Sequence, residues 1–101
     1  MYYSVNVLFK STRSDSKEPL WEERILLIDA LDEDEAERLA IKLCENEKVK
    51  CSTVDGSDVE WNFYTVERAY EIQDSIEHGT EIFSRFIKER EALGLLEPFE
   101  E

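Results

Sequence analysis

The stretch LWEERILLIDALDEDEAERLA, residues 20–40, decides the fold. Its first half alternates as a β-strand does. Glu22, Arg24, Leu26, Ile28 and Ala30 share one face, and Trp21, Glu23, Ile25, Leu27 and Asp29 share the other. The opening residues are polar on both faces and the closing ones apolar on both, so the strand starts outside the core and runs into it. The period then changes. Over residues 32–48 the positions Ala36, Leu39, Ala40, Leu43 and Cys44 or Glu47 follow the i, i+3, i+4, i+7 spacing of an amphipathic helix. Asp32 is a good N-cap, and Glu35 stands three residues later, as a capping box requires. The acids of the first turn also complement the positive end of the helix dipole. The block Asp32, Glu33, Asp34, Glu35 therefore reads as a helix start. Consecutive helical residues point about 100° apart, so these four cannot converge on one metal ion.

The flanking sequence adds more strands. YYSVNVLFK (2–10) places Tyr3, Val5, Val7 and Phe9 on one face and Tyr2, Ser4, Asn6 and Lys10 on the other, the pattern of a half-buried strand. STRSDSKEP (11–19) is polar, Ser-rich and closed by proline, and reads as a mobile loop. VKCSTV (49–54) predicts a third strand, with DGSD (55–58) as its turn. VEWNFYTVERAYEI (59–72) predicts a long fourth strand. Its apolar positions Trp61 and Phe63, in line with Thr65, change phase to Val66, Tyr70 and Ile72, as a bulge or strong bend would make them. TEIFSRFIK (80–88) fits either a strand or a helix; Gly79 and the β-branched and aromatic content favour a fifth strand. Residues 89–101 read as a short acidic helix or tail. The expected fold is α+β, in the order β-β-α-β-β-β. It is a single domain with a mostly antiparallel sheet and one long helix packed on one face. A strand–helix–strand step within one sheet sets the second and third strands parallel, with a right-handed crossover.

Composition narrows the function. At 101 residues, 42% hydrophobic and 37% charged, the chain has the core of a folded domain and a surface more charged than the roughly 25% of an average one. Acids outnumber bases 25 to 12, for a net charge of −13. That field repels phosphate backbones and anionic headgroups, so neither nucleic acid nor membrane is expected as a partner. A basic protein partner fits it, and so does the plain role of acid in keeping a small protein soluble. There is no apolar run long enough for a membrane span and no basic n-region of a signal peptide. Cys44 and Cys51 are too few for a disulfide scaffold. Together these point to the cytoplasm.

A reactive centre is hard to assemble from this chain. The one histidine, His78, falls in a turn beside Gly79, and no Ser-His or Cys-His pair can be built without it. Cys44 and Cys51 form no CxxC, so zinc is not expected. The glycines, 56, 79 and 94, are isolated, which removes the phosphate-cradling loops. DGSDVE lacks the twelve-residue calcium pattern. No cofactor or metal is expected. Arg24 and Arg85 lie in strand-like stretches rich in aromatics, and Trp21 and Trp61 fall near polar residues. Trp, Tyr and Arg dominate binding hot spots, so Trp21, Glu22, Arg24, Trp61 and Arg85 form a candidate interaction set. The plainer reading has the tryptophans plugging the ends of the core and the arginines pairing with Glu22, Glu23 or Glu81.

At YSVNVLF, WEERILLIDALDEDEA, VEWNFYTVERAYEI and GTEIFSRF the sequence resembles a family of small bacterial proteins known as domain of unknown function 4288. The resemblance spans nearly the whole chain apart from 11–19 and the tail after Lys88, and the closing GTEIFSRF is its most specific part. It implies a bacterial or phage-borne cytoplasmic protein. It supplies no activity and no catalytic residues.

The function expected from all this is non-enzymatic: a small acidic protein acting through protein–protein contact, a homodimer through a sheet edge or exposed sheet face. Two rivals stand beside it. One is an acidic inhibitor, immunity-like or DNA-mimicking, of a basic partner. The other is a small carboxylate enzyme with Glu22, Glu23, Arg24 and Arg85 gathered in a pocket.

Overall fold

The structure, a computed structural model, describes residues 1–15, 17–52 and 56–97, with backbone alone for 48–52. Four strands and two helices form in the order β1 (Tyr2–Arg13), β2 (Trp21–Asp29), α1 (Glu33–Cys44), β3 (Lys48–Ser52), β4 (Asp58–Glu71) and α2 (Glu89–Leu96). The fold is α+β. One antiparallel sheet runs in the order β2-β1-β4-β3.

Three expectations change. First, the parallel relation of the second and third strands does not occur. β2 and β3 lie at opposite edges with two strands between them, and three successive antiparallel steps leave them antiparallel. The crossover carrying α1 therefore spans the whole sheet. Second, the fifth strand is absent: residues 80–88 join no ladder among the described residues. With β2 and β3 holding the two edges, this segment crosses a face of the sheet. Third, β1 continues through Ser11, Thr12 and Arg13, which pair with Trp61, Glu60 and Val59 of β4. A long partner strand holds these polar residues extended where composition alone suggested a loop. Of the expected third strand, residues 53 and 54 lie outside the described residues, as do residue 55 of its turn and residues 98–101 of the tail.

The phase change in 59–72 is a pair of bulges, and the second, between Val66 and Arg68, leaves Val66 and Tyr70 on opposite faces rather than on the one expected. β1 and β4 slip register between Asn6 and Val7 and again between Leu8 and Phe9. Tyr64 and Glu67 are the extra residues. Each bulge re-aims the strand so that Val59, Trp61, Phe63, Val66 and Ala69 all point to the face that β1 turns inward. Thr65 and Tyr70, opposite Leu8 and Ser4, point to the other face.

The inward face of β1 is the core. Tyr3, Val5, Val7 and Phe9 are buried together with Ile28, Ala30, Ala36, Ala40 and Cys44. Phe9 meets Phe63 edge-on, with centroids 5.8 Å apart. The helix reaches this layer through a stripe of small residues, Ala36, Ala40 and Cys44, which lets its backbone approach the sheet closely. Leu39 and Leu43 flank the stripe and stay accessible, Leu43 by 67%. Asp32 caps the helix, its Oδ1 accepting from the Glu35 amide at 2.8 Å. Glu35 reaches back one residue further than a standard capping box does, accepting from the Leu31 amide at 3.1 Å.

Candidate functional site

The candidate residues divide between the two faces of the sheet. Glu22 and Arg24 pair with Phe9 and Val7, so they lie on the helix side. The Arg24 guanidinium sits 4.0 Å from the centroid of the Phe9 ring, donates to Glu22 at 2.8 Å and to Glu47, just past the helix, at 2.7 Å. Its hydrogen bonds to Glu47 and Glu22 hold its pKa above the ordinary arginine value. Trp61 is on this side too, packed against the core. Arg24 thus ties the β2 edge to the end of α1 and closes the core over Phe9.

Trp21 and Arg85 belong to the opposite face. Trp21 remains 48% exposed and meets Tyr64 edge-on, at 4.7 Å between centroids. The Lys10 ammonium lies 5.1 Å from the Trp21 ring and 5.8 Å from that of Tyr64. Tyr64 falls on this face by alternation from Phe63, and the bulge there turns Thr65 to the same face. Further along, residues 80–88 form a strap. Phe83 meets Tyr70 edge-on at 5.6 Å. Arg85 donates to Glu67 of β4 at 2.8 Å and lies 3.8 Å from Glu23 of β2. Those carboxylates stand on either side of β1, so the guanidinium spans the central strand. Asn6 lies fully buried in that strand, donating to Glu23 at 3.3 Å. The Asn6 carbonyl oxygen and the Ser4 hydroxyl are buried with no hydrogen-bond partner among the described residues.

Of the four side chains gathered in the expected carboxylate pocket, Glu22 and Arg24 are on one face and Glu23 and Arg85 on the other. The sheet keeps the two pairs apart. Trp21 and Trp61 are separated in the same way. The expected partners of the arginines are found in Glu22 and Glu23; Glu47 and Glu67 complete the sets. Other groups with shifted acidities have structural causes. A hydrogen bond from Arg13 holds the Asp15 carboxyl below the usual carboxylate range, and burial pushes the Cys44 thiol and the Tyr3 phenol up. His78 is exposed in a turn. Among the described residues no three His, Cys, Asp or Glu side chains gather as a metal-holding group, and no helix is long and apolar enough to cross a membrane.

The apolar surface left uncovered is the other feature of note. Ile25 (47% exposed) and Leu27 (55%) project from β2 on the strap side. Across the same edge, Leu27, Ile28, Asp29, Leu39, Lys42 and Leu43 line a shallow groove of ≈ 540 Å³. Beyond the strap, α2 packs on no other helix or strand among the described residues and buries none of its own. Phe86, Leu93, Leu95 and Leu96 are all exposed there.

The family profile described as Domain of unknown function (DUF4288) matches residues 2–84, from the first strand to the middle of the strap. The chain belongs to the DUF4288 family. The match takes in all four strands, α1, and Phe83 on the strap; it stops one residue before Arg85, so the exposed arm that includes α2 lies beyond it. No curated protein and no solved structure matches this DUF4288 chain.

Proposed function

We propose that this DUF4288 protein is a non-enzymatic interaction module. The observation that supports the reading is the continuity of its uncovered apolar surface. A scattered exposed leucine is ordinary, whereas a contiguous tract marks a contact site. Here two tracts occur: the band around the β2 edge formed by Ile25, Leu27, Leu39 and Leu43, and the arm bearing Phe86, Leu93, Leu95 and Leu96. The best-organised polar side chains, around Arg24 and Arg85, are engaged in holding the sheet to its helix and strap.

Hydrogen exchange on the full chain tests this, alone over a range of concentrations and with the proteins encoded beside its gene. Slowed amides at Glu23, Ile25 and Leu27, or along 86–96, in one of these conditions would identify the working surface. Unchanged exchange at both tracts in every condition would refute the reading.

A further inference from the structure

The β2 edge carries more information than its apolar side chains. The main chain there has a definite direction and phase. The Ser11 amide donates to the Leu20 carbonyl at 2.9 Å, the Ala30 amide donates to Met1 at 2.8 Å, and the Met1 amine donates back to the Ala30 carbonyl at 3.1 Å. The β1–β2 ladder runs between these points without a register shift. In an antiparallel ladder every second residue bonds to a given neighbour. Even-numbered residues of β2 therefore bond to β1. The N–H and C=O groups of Glu23, Ile25 and Leu27 point away from the sheet.

A long apolar strand with free main-chain groups is a template for pairing, and proteins usually blunt such edges with lysine, proline or a bulge. β2 has none of these over its nine residues. Its charges are also quiet. Glu22 is paired with Arg24, Glu23 lies 3.8 Å from Arg85, and Asp29 lies 3.2 Å from the N-terminal amine. Every acid of the strand has a cation of its own chain close by, although Arg24 and Arg85 also serve Glu47 and Glu67, so the edge is partly neutralised in a molecule of net charge −13. The residues between Arg24 and Asp29 carry no charge at all.

We propose that a second copy of this chain pairs with β2 through its own β2, antiparallel, joining two four-stranded sheets into one. Only registers that set even positions against even ones keep the helix layers of both copies on the same face. A two-fold axis at Leu26 satisfies this and sets Ile25 of each copy against Leu27 of the other. The Leu39 and Leu43 flanks then close over the seam on the helix side. In this register residues 22–30 of the two copies face each other, Ala30 continuing the ladder through its bonds to Met1, and nine residues at roughly 3.3 Å each give a seam about 30 Å long. Sheet and helix layers together are roughly 20 Å deep. The contact thus buries about 600 Å² per copy, or about 1,200 Å² in total, the lower end of the range for a specific dimer.

This inference rests on the interaction reading and assigns the partner of its β2 tract. Light scattering on the full chain, from micromolar to submillimolar concentration, tests it. The expected mass is about 24 kDa, twice the 11.9 kDa of one chain. The double variant Ile25→Lys/Leu27→Lys should fall to the single-chain mass with its circular dichroism unchanged, because both side chains are exposed in the isolated subunit. In the unaltered chain, protection of the Glu23, Ile25 and Leu27 amides should rise with concentration, a readout that does not depend on the variant folding. A single-chain mass at all concentrations overturns the second copy. If those amides then slow only when another protein is added, the interaction reading survives; if they and the arm never slow, both fail. A doubled mass that persists in the folded double variant overturns β2 pairing and moves the contact to the arm.

Discussion

Replacing Arg85 by alanine should loosen the strap while leaving the body of the domain intact. Arg85 makes one close pair, 2.8 Å to Glu67, and one longer one, 3.8 Å to Glu23, and all three side chains are about one-third exposed. Pairs so placed are each worth about 0.2–1 kcal/mol. Their joint loss should cost about 1 kcal/mol, which is roughly a fivefold rise in local opening (RT ≈ 0.59 kcal/mol). Phe83 remains on Tyr70, so the strap should stay seated most of the time. The core of Tyr3, Val5, Val7 and Phe9 lies on the other side of the sheet and should not register the change. Hydrogen exchange by mass spectrometry on peptides covering 80–88 reads the local effect, and urea denaturation followed by tryptophan fluorescence reads the global one. Raising salt in the unaltered protein should reproduce part of the local effect, since exposed pairs are screened. Two results would refute the reasoning. Unchanged exchange in 80–88 would mean that the ion pairs do not hold the strap. A global loss above about 3 kcal/mol, the range reached when a partner is removed from a buried charge pair, would mean that strap and core unfold as one.

Other outcomes follow from the same contacts. Asp32→Ala should lower stability by about 1 kcal/mol in urea, because the Glu35 amide loses its acceptor at the start of α1. Ser4→Ala should raise stability by about 1 kcal/mol, since its hydroxyl is buried without a partner among the described residues; a loss instead would show that the hydroxyl is satisfied. Asp15 has its folded pKa lowered by Arg13, so its contribution is present above the unfolded carboxylate value of about 4 and is lost as pH falls through the lower folded value. Asp15→Asn should therefore flatten the acid limb of a urea-midpoint profile below pH ~4, and an unchanged limb would discount the Arg13 contact. Cys44, buried and with its thiol pKa raised, should resist a thiol-modifying reagent at pH 8 until the protein is unfolded.

Local physics wrote much of this fold into the chain. The period-two run of β1 placed Tyr3, Val5, Val7 and Phe9 in the core, and the Asp32–Glu35 spacing marked the helix start, because alternation and capping are properties of neighbouring residues. The phase change after Phe63 signalled a bulge, though not that there are two, nor that they would turn Thr65 and Glu67 toward the strap side. Sequence also singled out Trp21, Glu22, Arg24, Trp61 and Arg85 by chemical type. Alternation already set Trp21 on the opposite face from Glu22 and Arg24, but it could not say which of them Trp61 and Arg85 would join, because that depends on register and strand order, both set by distant partners. The same limit applies to residues 80–88. Their alternation and composition suit a strand, yet both edges of the sheet are taken by β2 and β3, so the segment lies across a face and its arginine bridges two strands. The apolar closing half of β2 was visible as a surplus from the start; that it forms an open edge, with Ile25 and Leu27 uncovered, was decided only when β1 took β4 as its other neighbour.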